Sequence, residues 1–322
     1  MNENKSYSSP FTVGIDLGGT NTAFAIVDRE GRIAAKDSIP TRTPSIEVWA
    51  SNINAKLQAM TAANGLDGQV VGIGVGAPAA NAITGCIDGA TNLPWPLPVP
   101  VAETLTKATG IRTVITNDAN AAAIGELAYG AAKGLKNFIV LTLGTGVGSG
   151  IVCDGHLMTG SSGYAGELGH VRFPFAHDRK CGCGRYGCLE TVGSASGVVE
   201  TARRMLVGSE EPSALREIPE SELTPKDVSI AANGGDALAK RVWDFTGSCL
   251  GSACADFAAM SDPEAVIIFG GVAKAGELIL EPMRKAFREN ALHLSRDRVK
   301  FYKSALPDAD AAILGAAALP YM

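Results

Sequence analysis

The sequence lacks any run of about 18 consecutive apolar residues, which is the length that a membrane-spanning helix requires. Residues 1–10 are polar and lack the apolar segment of a signal peptide. No Gly-Lys dipeptide occurs, which excludes a Walker A phosphate loop. No long basic stretch occurs either, and the net charge is -5. These absences predict a cytoplasmic protein with neither nucleic acid nor a membrane as partner.

Cysteine is also sparse, and it is unevenly distributed. The chain has seven cysteines in 322 residues, and three of them, Cys181, Cys183 and Cys188, fall in one glycine-rich loop. With His170 upstream, three thiolates and one imidazole complete a tetrahedral zinc shell, so the predicted zinc is structural. The alternative is three incidental cysteines, although Cys-x-Cys cannot close as an unstrained disulfide. The other cysteines lie in apolar segments, as is typical of cytosolic proteins.

Short apolar segments alternate with amphipathic segments along the chain. Hydrophobic residues make up 46% of it, enough for a large core, and its length suggests two lobes. Apolar strands at 11–15 and 138–143 each end in a glycine-rich turn and return as a second strand. Helical spacing follows the first meander, with Ser45 as the predicted N-cap. The alternation predicts an α/β fold, and the paired glycine turns suggest a duplicated unit.

Both glycine turns have the composition of phosphate-binding loops. Glycines permit positive φ and let backbone N–H groups face an anion. The first turn contains Asp16, Gly18, Gly19, Thr20 and Asn21, of which Asp16 could face Mg²⁺. The second contains Gly144, Thr145 and Gly146. Either turn alone could be an ordinary β-turn, but together they favour binding of the phosphates of one nucleotide.

Polar side chains at strand ends and beside the cysteine loop are candidates for substrate chemistry. Asn117 and Asp118 follow a predicted strand directly and precede a helix, the usual crevice position in α/β proteins. Asp118 could accept a proton from a substrate hydroxyl, or either residue could cap the helix. Glu167, His170 and Glu190 flank the metal loop. Their carboxylates could each accept two sugar hydroxyls, and the second imidazole N–H could orient on another.

Taken together, these motifs resemble the ROK family of bacterial sugar kinases and repressors over nearly the whole chain. The motifs are Asp16–Thr20, Gly76–Pro78, Asn92–Trp95, Asn117–Asn120, Leu143–Gly148, Glu167–His170, the cysteine loop and Gly270-Gly271. Within the family the resemblance is closest to bacterial glucokinases. The chain departs from many of them at Ala79, where they carry glycine after the proline.

The resemblance implies an actin-like ATPase (ribonuclease H-like) fold with two lobes around a central cleft. The N-terminal lobe would comprise residues 1–118 plus about 306–322, and the C-terminal lobe residues 119–305. The implied reaction transfers the ATP γ-phosphate to the 6-hydroxyl of a hexose, with Asp118 as general base. Glucose is the first expectation for the hexose. The implied sugar contacts are Asn92, Asn117, Asp118, Glu167, His170 and Glu190. ATP phosphates would lie against Gly18–Thr20 and Thr145–Gly146, with adenosine near Gly270 and Gly271.

Two other functions are compatible with the same resemblance. The sugar could be N-acetylmannosamine, fructose or allose, or the chain could be a non-catalytic sugar-sensing regulator. Asp118 and the two glycine turns favour the kinase. The ten polar residues before the first strand also leave no room for the helix-turn-helix of the repressors. The expected partners are a small-molecule sugar and ATP, with Mg²⁺ and structural Zn²⁺, in a homodimer or higher homo-oligomer.

Overall fold

The structure is a computed structural model that describes residues 9–89, 92–307 and 310–322. Its strands are β1 Phe11–Leu17, β2 Asn21–Val27, β3 Ile33–Pro40, β4 Val70–Gly76, β5 Ala80–Asn81, β6 Cys86–Ile87, β7 Thr113–Thr116, β8 Phe138–Leu143, β9 Val147–Cys153, β10 His156–Leu157, β11 Ala265–Phe269 and β12 Lys300–Lys303. Its α-helices are α1 Ile46–Asn64, α2 Val101–Thr109, α3 Asp118–Tyr129, α4 Glu190–Gly193, α5 Ala195–Val207, α6 Pro225–Asn233, α7 Ala237–Ser261, α8 Glu277–Asn290 and α9 Ala311–Ala318.

The described residues form two compact units. Unit 1 contains those within Met1–Gly134, His156–Ala165 and Ala305–Met322, and unit 2 those within Leu135–Gly155 and Gly166–Ser304. The boundary expected after residue 118 differs from this division. Helix α3 belongs to unit 1 because it packs against α9 there.

Two five-stranded sheets share one topology. The first has the order β3-β2-β1-β4-β7 and the second the order β10-β9-β8-β11-β12. In each sheet the first long strand pairs antiparallel with its successor and parallel with a strand much later in the chain. This repeated order agrees with the duplication suggested by the two glycine turns.

Unit 1 is built by close approach of α9 to the first sheet. A Cβ atom on Gly14 would lie 1.9 Å from the Ile313 carbonyl oxygen, and one on Gly74 1.9 Å from that of Ala316. Glycine is therefore required at both positions if the helix is to lie directly on β1 and β4. On the other face, α1 buries Trp49, Ile53 and Leu57 against the sheet core. Helix α9 also contacts α3, so it fixes the helix that begins at Asp118.

Unit 2 is centred on the packing of α7 against α8. A Cβ atom on Gly251 would lie 2.1 Å from the Met283 carbonyl oxygen, so the two helices meet backbone to backbone. Trp243 and Leu250 of α7 are buried in the same core as β8 and β11. This core supports the turn that follows β8.

Most elements agree with the sequence-based prediction because their ends carry local signals. Ser45 accepts a hydrogen bond from the Val48 N–H as the N-cap of α1, and Gly110 ends α2 in the left-handed conformation. The sequence predicts a helix from Lys274 to about Leu292, but the helix starts later, at Glu277, because a 3₁₀ turn over Val272–Ala275 and the positive φ of Gly276 precede it. Within the described part of the chain, every helix is too short or too polar to span a bilayer.

Candidate functional site

In unit 1, three parallel strands end side by side and bring the first candidate residues to one edge of the sheet. Asp16 near the end of β1 is paired with Gly76 of β4, and Gly76 is paired with Thr116 of β7. Asn117 and Asp118 follow Thr116 directly. The register therefore puts Asp16 and the Asn117-Asp118 pair at the same carboxyl edge, where α/β proteins bind ligands.

Asn117 and Asp118 have different roles at the start of α3. The side chain of Asn117 accepts a hydrogen bond of 2.7 Å from the Asn120 N–H and is the N-cap. Asp118 is exposed, and its Oδ1 accepts a hydrogen bond of 2.9 Å from the Ala119 N–H. The cap is therefore provided by Asn117, which leaves the second oxygen of Asp118 available to a substrate.

The two carboxylates at this edge influence each other. Burial raises the pKa of Asp16 above its usual value, and the negative charge of Asp118 raises it further. Desolvation disfavours a carboxylate, and a second carboxylate nearby adds to that cost. Such a pair supplies the hard oxygen donors that Mg²⁺ prefers, so the donor set fits the expected cation.

A buried chain of side-chain hydrogen bonds holds the first glycine turn. The Thr41 hydroxyl donates to the Gly18 carbonyl at 2.6 Å, and the Trp49 indole N–H donates to Thr22 Oγ1 at 3.0 Å. The hydroxyls of Thr22 and Thr41 lie 2.8 Å apart. Because Thr41 donates its only hydroxyl hydrogen to the Gly18 carbonyl, Thr22 must be the donor in the hydrogen bond between Thr22 and Thr41. Thr22, Thr41 and Trp49 carry no sequence signal that marks them as supports of this turn, since nothing local links them to Gly18.

Asn92 contacts the first glycine turn, and Ala79 lies in the loop between β4 and β5. A Cβ atom on Gly19 would lie 3.0 Å from Asn92 Cβ, so the Asn92 loop packs on the glycine turn. Ala79 adopts φ 54°, a left-handed conformation that is uncommon for alanine. Its methyl group fills space beside Gly89, where a Cβ atom would lie 2.6 Å away. The departure from the glucokinase pattern is therefore a strained residue in the loop that the resemblance places beside the sugar.

In unit 2, the second glycine turn and Gly270-Gly271 lie at the ends of neighbouring parallel strands. The turn closes between Leu143 and Val147, with the Gly144 N–H donating to the Gly146 carbonyl at 3.0 Å. A Cβ atom on Gly270, whose φ is 100°, would lie 2.7 Å from the Leu143 carbonyl oxygen. The two predicted nucleotide segments of this unit are therefore adjacent.

Glu190 connects the second turn to the cysteine loop. One carboxylate oxygen accepts a hydrogen bond of 3.1 Å from the Val147 N–H, and the other lies 3.2 Å from Cys181 Sγ. A Cβ atom on Gly146 would come within 2.5 Å of the same carboxylate. Glycine at 146 is therefore needed for Glu190 to reach the turn. Glu190 is the first residue of α4, a helix of only 4 residues.

The four predicted metal ligands converge. The ligand atoms of His170, Cys181, Cys183 and Cys188 all lie within 4.8 Å of one another. Cys183 and Cys188 have their sulfurs 3.6 Å apart, and His170 Nδ1 lies 3.7 Å from Cys181 Sγ. A tetrahedral zinc with Zn–S of about 2.3 Å would separate two sulfurs by about 3.8 Å. The side chains are thus already spaced for a tetrahedral ion. Hydrogen bonds from Arg185, first its backbone N–H and then its side chain, lower the pKa of Cys183 to about 6, which favours the thiolate.

Glu167 lies beside this cluster, next to its member His170. The imidazole Nε2 of His170 lies 3.9 Å from a Glu167 carboxylate oxygen, while Nδ1 faces Cys181. A Cβ atom on Gly169, between them, would lie 1.9 Å from the Val147 carbonyl oxygen, so the segment packs directly on β9. Unit 2 therefore brings Glu167, His170 and Glu190 to one region, as expected from the sequence. Within each unit, the candidate site residues therefore lie close to one another.

Residues 12–321 match the ROK family, and the chain belongs to this family. It is 37% identical over 312 residues to a glucokinase of Halalkalibacterium halodurans, covering 96% of this chain and 94% of the relative. It is 31% identical over 320 residues to an N-acetylmannosamine kinase of Salmonella heidelberg, covering 96% of this chain and 97% of the relative.

Solved structures of the family have the same fold. A ROK family glucokinase of Streptomyces griseus, in complex with glucose and AMPPNP, matches with a TM-score of 0.74 and 33% identity over 96% of this chain and 98% of that one. A ROK family transcriptional regulator matches with a TM-score of 0.82 and 27% identity over 96% of this chain and 77% of that one. The predicted fold class, an actin-like ATPase, is confirmed, and so is the predicted enzyme class, a sugar kinase.

Proposed function

We propose that the protein is an ATP-dependent hexose kinase that phosphorylates the 6-hydroxyl of glucose. The observation that supports the proposal most directly is that Asn117 and Asp118 have different roles at the start of α3. Asn117 caps the helix, and Asp118 stays exposed at the carboxyl edge with Asp16 beside it. Similarity to the glucokinases of Halalkalibacterium halodurans and Streptomyces griseus supports glucose as the substrate.

In this proposal Asp118 accepts the proton of the 6-hydroxyl as that oxygen attacks the γ-phosphorus. Phosphoryl transfer asks the protein mainly to position groups and to neutralise charge. A primary hydroxyl needs a proton acceptor, and a carboxylate with one oxygen free of backbone partners is suited to that task. Asn117 and Asn92 would orient the sugar from the same unit.

The glycine turns and Asp16 would serve the phosphates. The N–H groups of Gly18 and Gly144 are donated within their turns, to the carbonyls of Asn21 and Gly146, so the N–H groups of the residues that follow them in each turn would face the phosphates. Mg²⁺ held through Asp16 would neutralise phosphate charge. In unit 2, Gly270 and Gly271 would lie beside adenosine, and Glu167, His170 and Glu190 would bind sugar hydroxyls. Zinc held by His170, Cys181, Cys183 and Cys188 would fix this loop without taking part in the reaction.

A coupled assay of ADP release tests the proposal across D-glucose, N-acetyl-D-mannosamine, D-fructose and D-allose. We expect the largest kcat/KM with glucose. We also expect a dehydrogenase that is specific for glucose 6-phosphate to oxidise the product. The inactive comparison is Asp118→Asn at equal concentration. Faster turnover of N-acetylmannosamine would refute glucose as the substrate and assign that sugar instead. The similarity to the Salmonella heidelberg N-acetylmannosamine kinase would agree with that result.

A second candidate function is a sugar-sensing regulator without catalysis. Its support is the similarity to the ROK family transcriptional regulator. Calorimetric titration with each sugar distinguishes the two functions. Sugar binding with no ADP release, in the presence of ATP and Mg²⁺, would favour the regulator over the kinase.

A further inference from the structure

A buried arginine joins the cysteine loop to the helices that follow it. Arg179 precedes the first cysteine of the loop, and only 7% of its surface is exposed. Arginine is rarely buried to this degree without dedicated partners, because its charge must leave water. Its place in the fold therefore calls for a structural or functional explanation.

The contacts of Arg179 extend in two directions. Through its backbone it holds the cysteine loop, since its carbonyl accepts the Gly187 N–H at 3.0 Å. Through its side chain it holds the next two helices: Nη1 lies 2.8 Å from the Thr191 carbonyl and 3.0 Å from Thr201 Oγ1. The guanidinium carbon also lies 5.7 Å from the centre of the Phe245 ring, on α7. One side chain thus connects the loop to α4, α5 and α7.

The contact with Thr191 is the one that bears on function. Thr191 follows Glu190, whose carboxylate accepts the Val147 N–H and lies against Cys181. A helix of 4 residues has too few internal hydrogen bonds to hold its own position. The backbone around Glu190 is therefore fixed from outside, and the guanidinium supplies an anchor one residue away.

We propose that Arg179 is a positioning residue for Glu190, and that it acts on sugar binding by holding α4 against the cysteine loop. The inference rests on the proposed function, since it takes Glu190 as a ligand of the sugar. One nitrogen of the buried guanidinium, Nη1, makes the contacts with both the Thr191 carbonyl and Thr201 Oγ1. A lysine would keep the charge, but its ammonium would end one bond short of the position of Nη1 and would lack the flat group that lies over Phe245.

The test is a double-mutant cycle on sugar affinity, with dissociation constants for D-glucose from calorimetry and KM from the ADP assay. We expect Arg179→Lys to weaken glucose affinity about tenfold or more, because small displacements of a binding group are costly. In a Glu190→Gln background, the same change should weaken affinity by less than about twofold, since the group it positions is already lost. Arg179→Met serves as a second variant, and metal analysis and melting temperature accompany each protein.

The matched control is Arg204→Met. Arg204 is an exposed arginine near the same loop, paired with Glu200 at 2.7 Å and with Asp178. Its removal should change glucose affinity by less than about twofold, because exposed ion pairs contribute little.

Four results would overturn the inference or separate it from the kinase proposal. Equal losses from Arg179→Lys in the wild-type and Glu190→Gln backgrounds would show that Arg179 does not act through Glu190. A lower melting temperature in both Arg179 variants with unchanged glucose affinity would show a purely structural role. Glucose binding by the wild type without ADP release would refute the kinase proposal, but the double-mutant cycle on glucose affinity could still be measured. Failure of the wild type to bind any sugar would refute both.

Discussion

Replacing Asp118 with asparagine removes one charge from the carboxyl edge and leaves the surrounding backbone contacts in place. The N-cap hydrogen bond belongs to Asn117, and an asparagine oxygen at position 118 can still accept from the Ala119 N–H. Because position 118 is exposed, the substitution creates neither a cavity nor a buried unpaired group. The fold should therefore be retained, and changes in rate can be assigned to the chemical step.

The expected loss of rate follows from the proposed role. A general base typically contributes about 10²- to 10⁴-fold, so kcat should fall by at least about 10²-fold, or about 2.7 kcal/mol of barrier. The KM values for glucose and ATP should change far less, because an asparagine at 118 can still hydrogen-bond the sugar. Steady-state kinetics by coupled ADP release measures both effects. Turnover within about threefold of wild type, in a protein with native circular dichroism, would refute the assignment and move the base to Glu167.

The same variant has a second, independent signature in stability. Burial and then the charge of Asp118 raise the pKa of Asp16 in the folded state. An acid whose folded pKa is raised contributes stability below its unfolded pKa and loses it as pH rises through the folded value. Removing the charge of Asp118 reduces this loss. The melting temperature of Asp118→Asn at pH 7 should therefore equal or exceed that of wild type, and the difference should disappear below the ordinary Asp pKa of 3.8. A variant that is less stable than wild type at pH 7 would contradict this electrostatic account.

Four further substitutions test the site and its supports. Cys183→Ser should lower both bound zinc, measured by plasma emission, and melting temperature; a full zinc equivalent in the variant would exclude Cys183 from the ligand set. Glu190→Gln should raise the sugar KM more than the ATP KM, and deoxy sugars that leave a site group unpaired should be poor substrates; an unchanged sugar KM would make Glu190 a scaffold residue. Thr41→Val leaves the Gly18 carbonyl without its buried donor, which should cost about 1–3 kcal/mol in urea unfolding. Gly315→Ala puts a methyl group 2.3 Å from the Ala121 carbonyl oxygen of α3 and should lower the free energy of unfolding in urea by about 1–3 kcal/mol. Unchanged stability would show that α9 can move away from α3 without cost.

The parts of the fold that sequence predicts well are those with local physical causes. The N-cap at Ser45, the left-handed glycine at 110 and the apolar run of β8 each act within a few residues of the element that they define. The convergence of His170, Cys181, Cys183 and Cys188 was also predictable, because cysteine and histidine at these spacings have few uses other than metal binding; the zinc itself stays a prediction. The position of Asp118 at the carboxyl end of a strand was predictable by the same kind of rule, whereas its nearness to Asp16 came from the register of β1, β4 and β7.

What the sequence did not predict depends on contacts between distant segments. The hydroxyl chain from Trp49 to Gly18 joins a helix, two strands and a turn, and threonines in strands have no local mark that distinguishes such a role. Helix α4 is too short for a periodic pattern, so its ties to the glycine turn could not be seen. The end of unit 1 after α3 depends on α9, which packs on that helix from the other end of the chain.

The two glycine turns show how one topology is stabilised in two different ways. Each turn follows the first long strand of its sheet, and each needs external support because glycine contributes no side chain to hold the backbone. In unit 1 the support is a buried chain of neutral hydroxyls ending at the Gly18 carbonyl. In unit 2 it is the Glu190 carboxylate, which accepts the Val147 N–H and lies against Cys181, one of the four proposed zinc ligands. Loss of the proposed zinc should therefore reach the second turn through Glu190, while the described contacts that hold the first turn run through Thr41, Thr22 and Trp49.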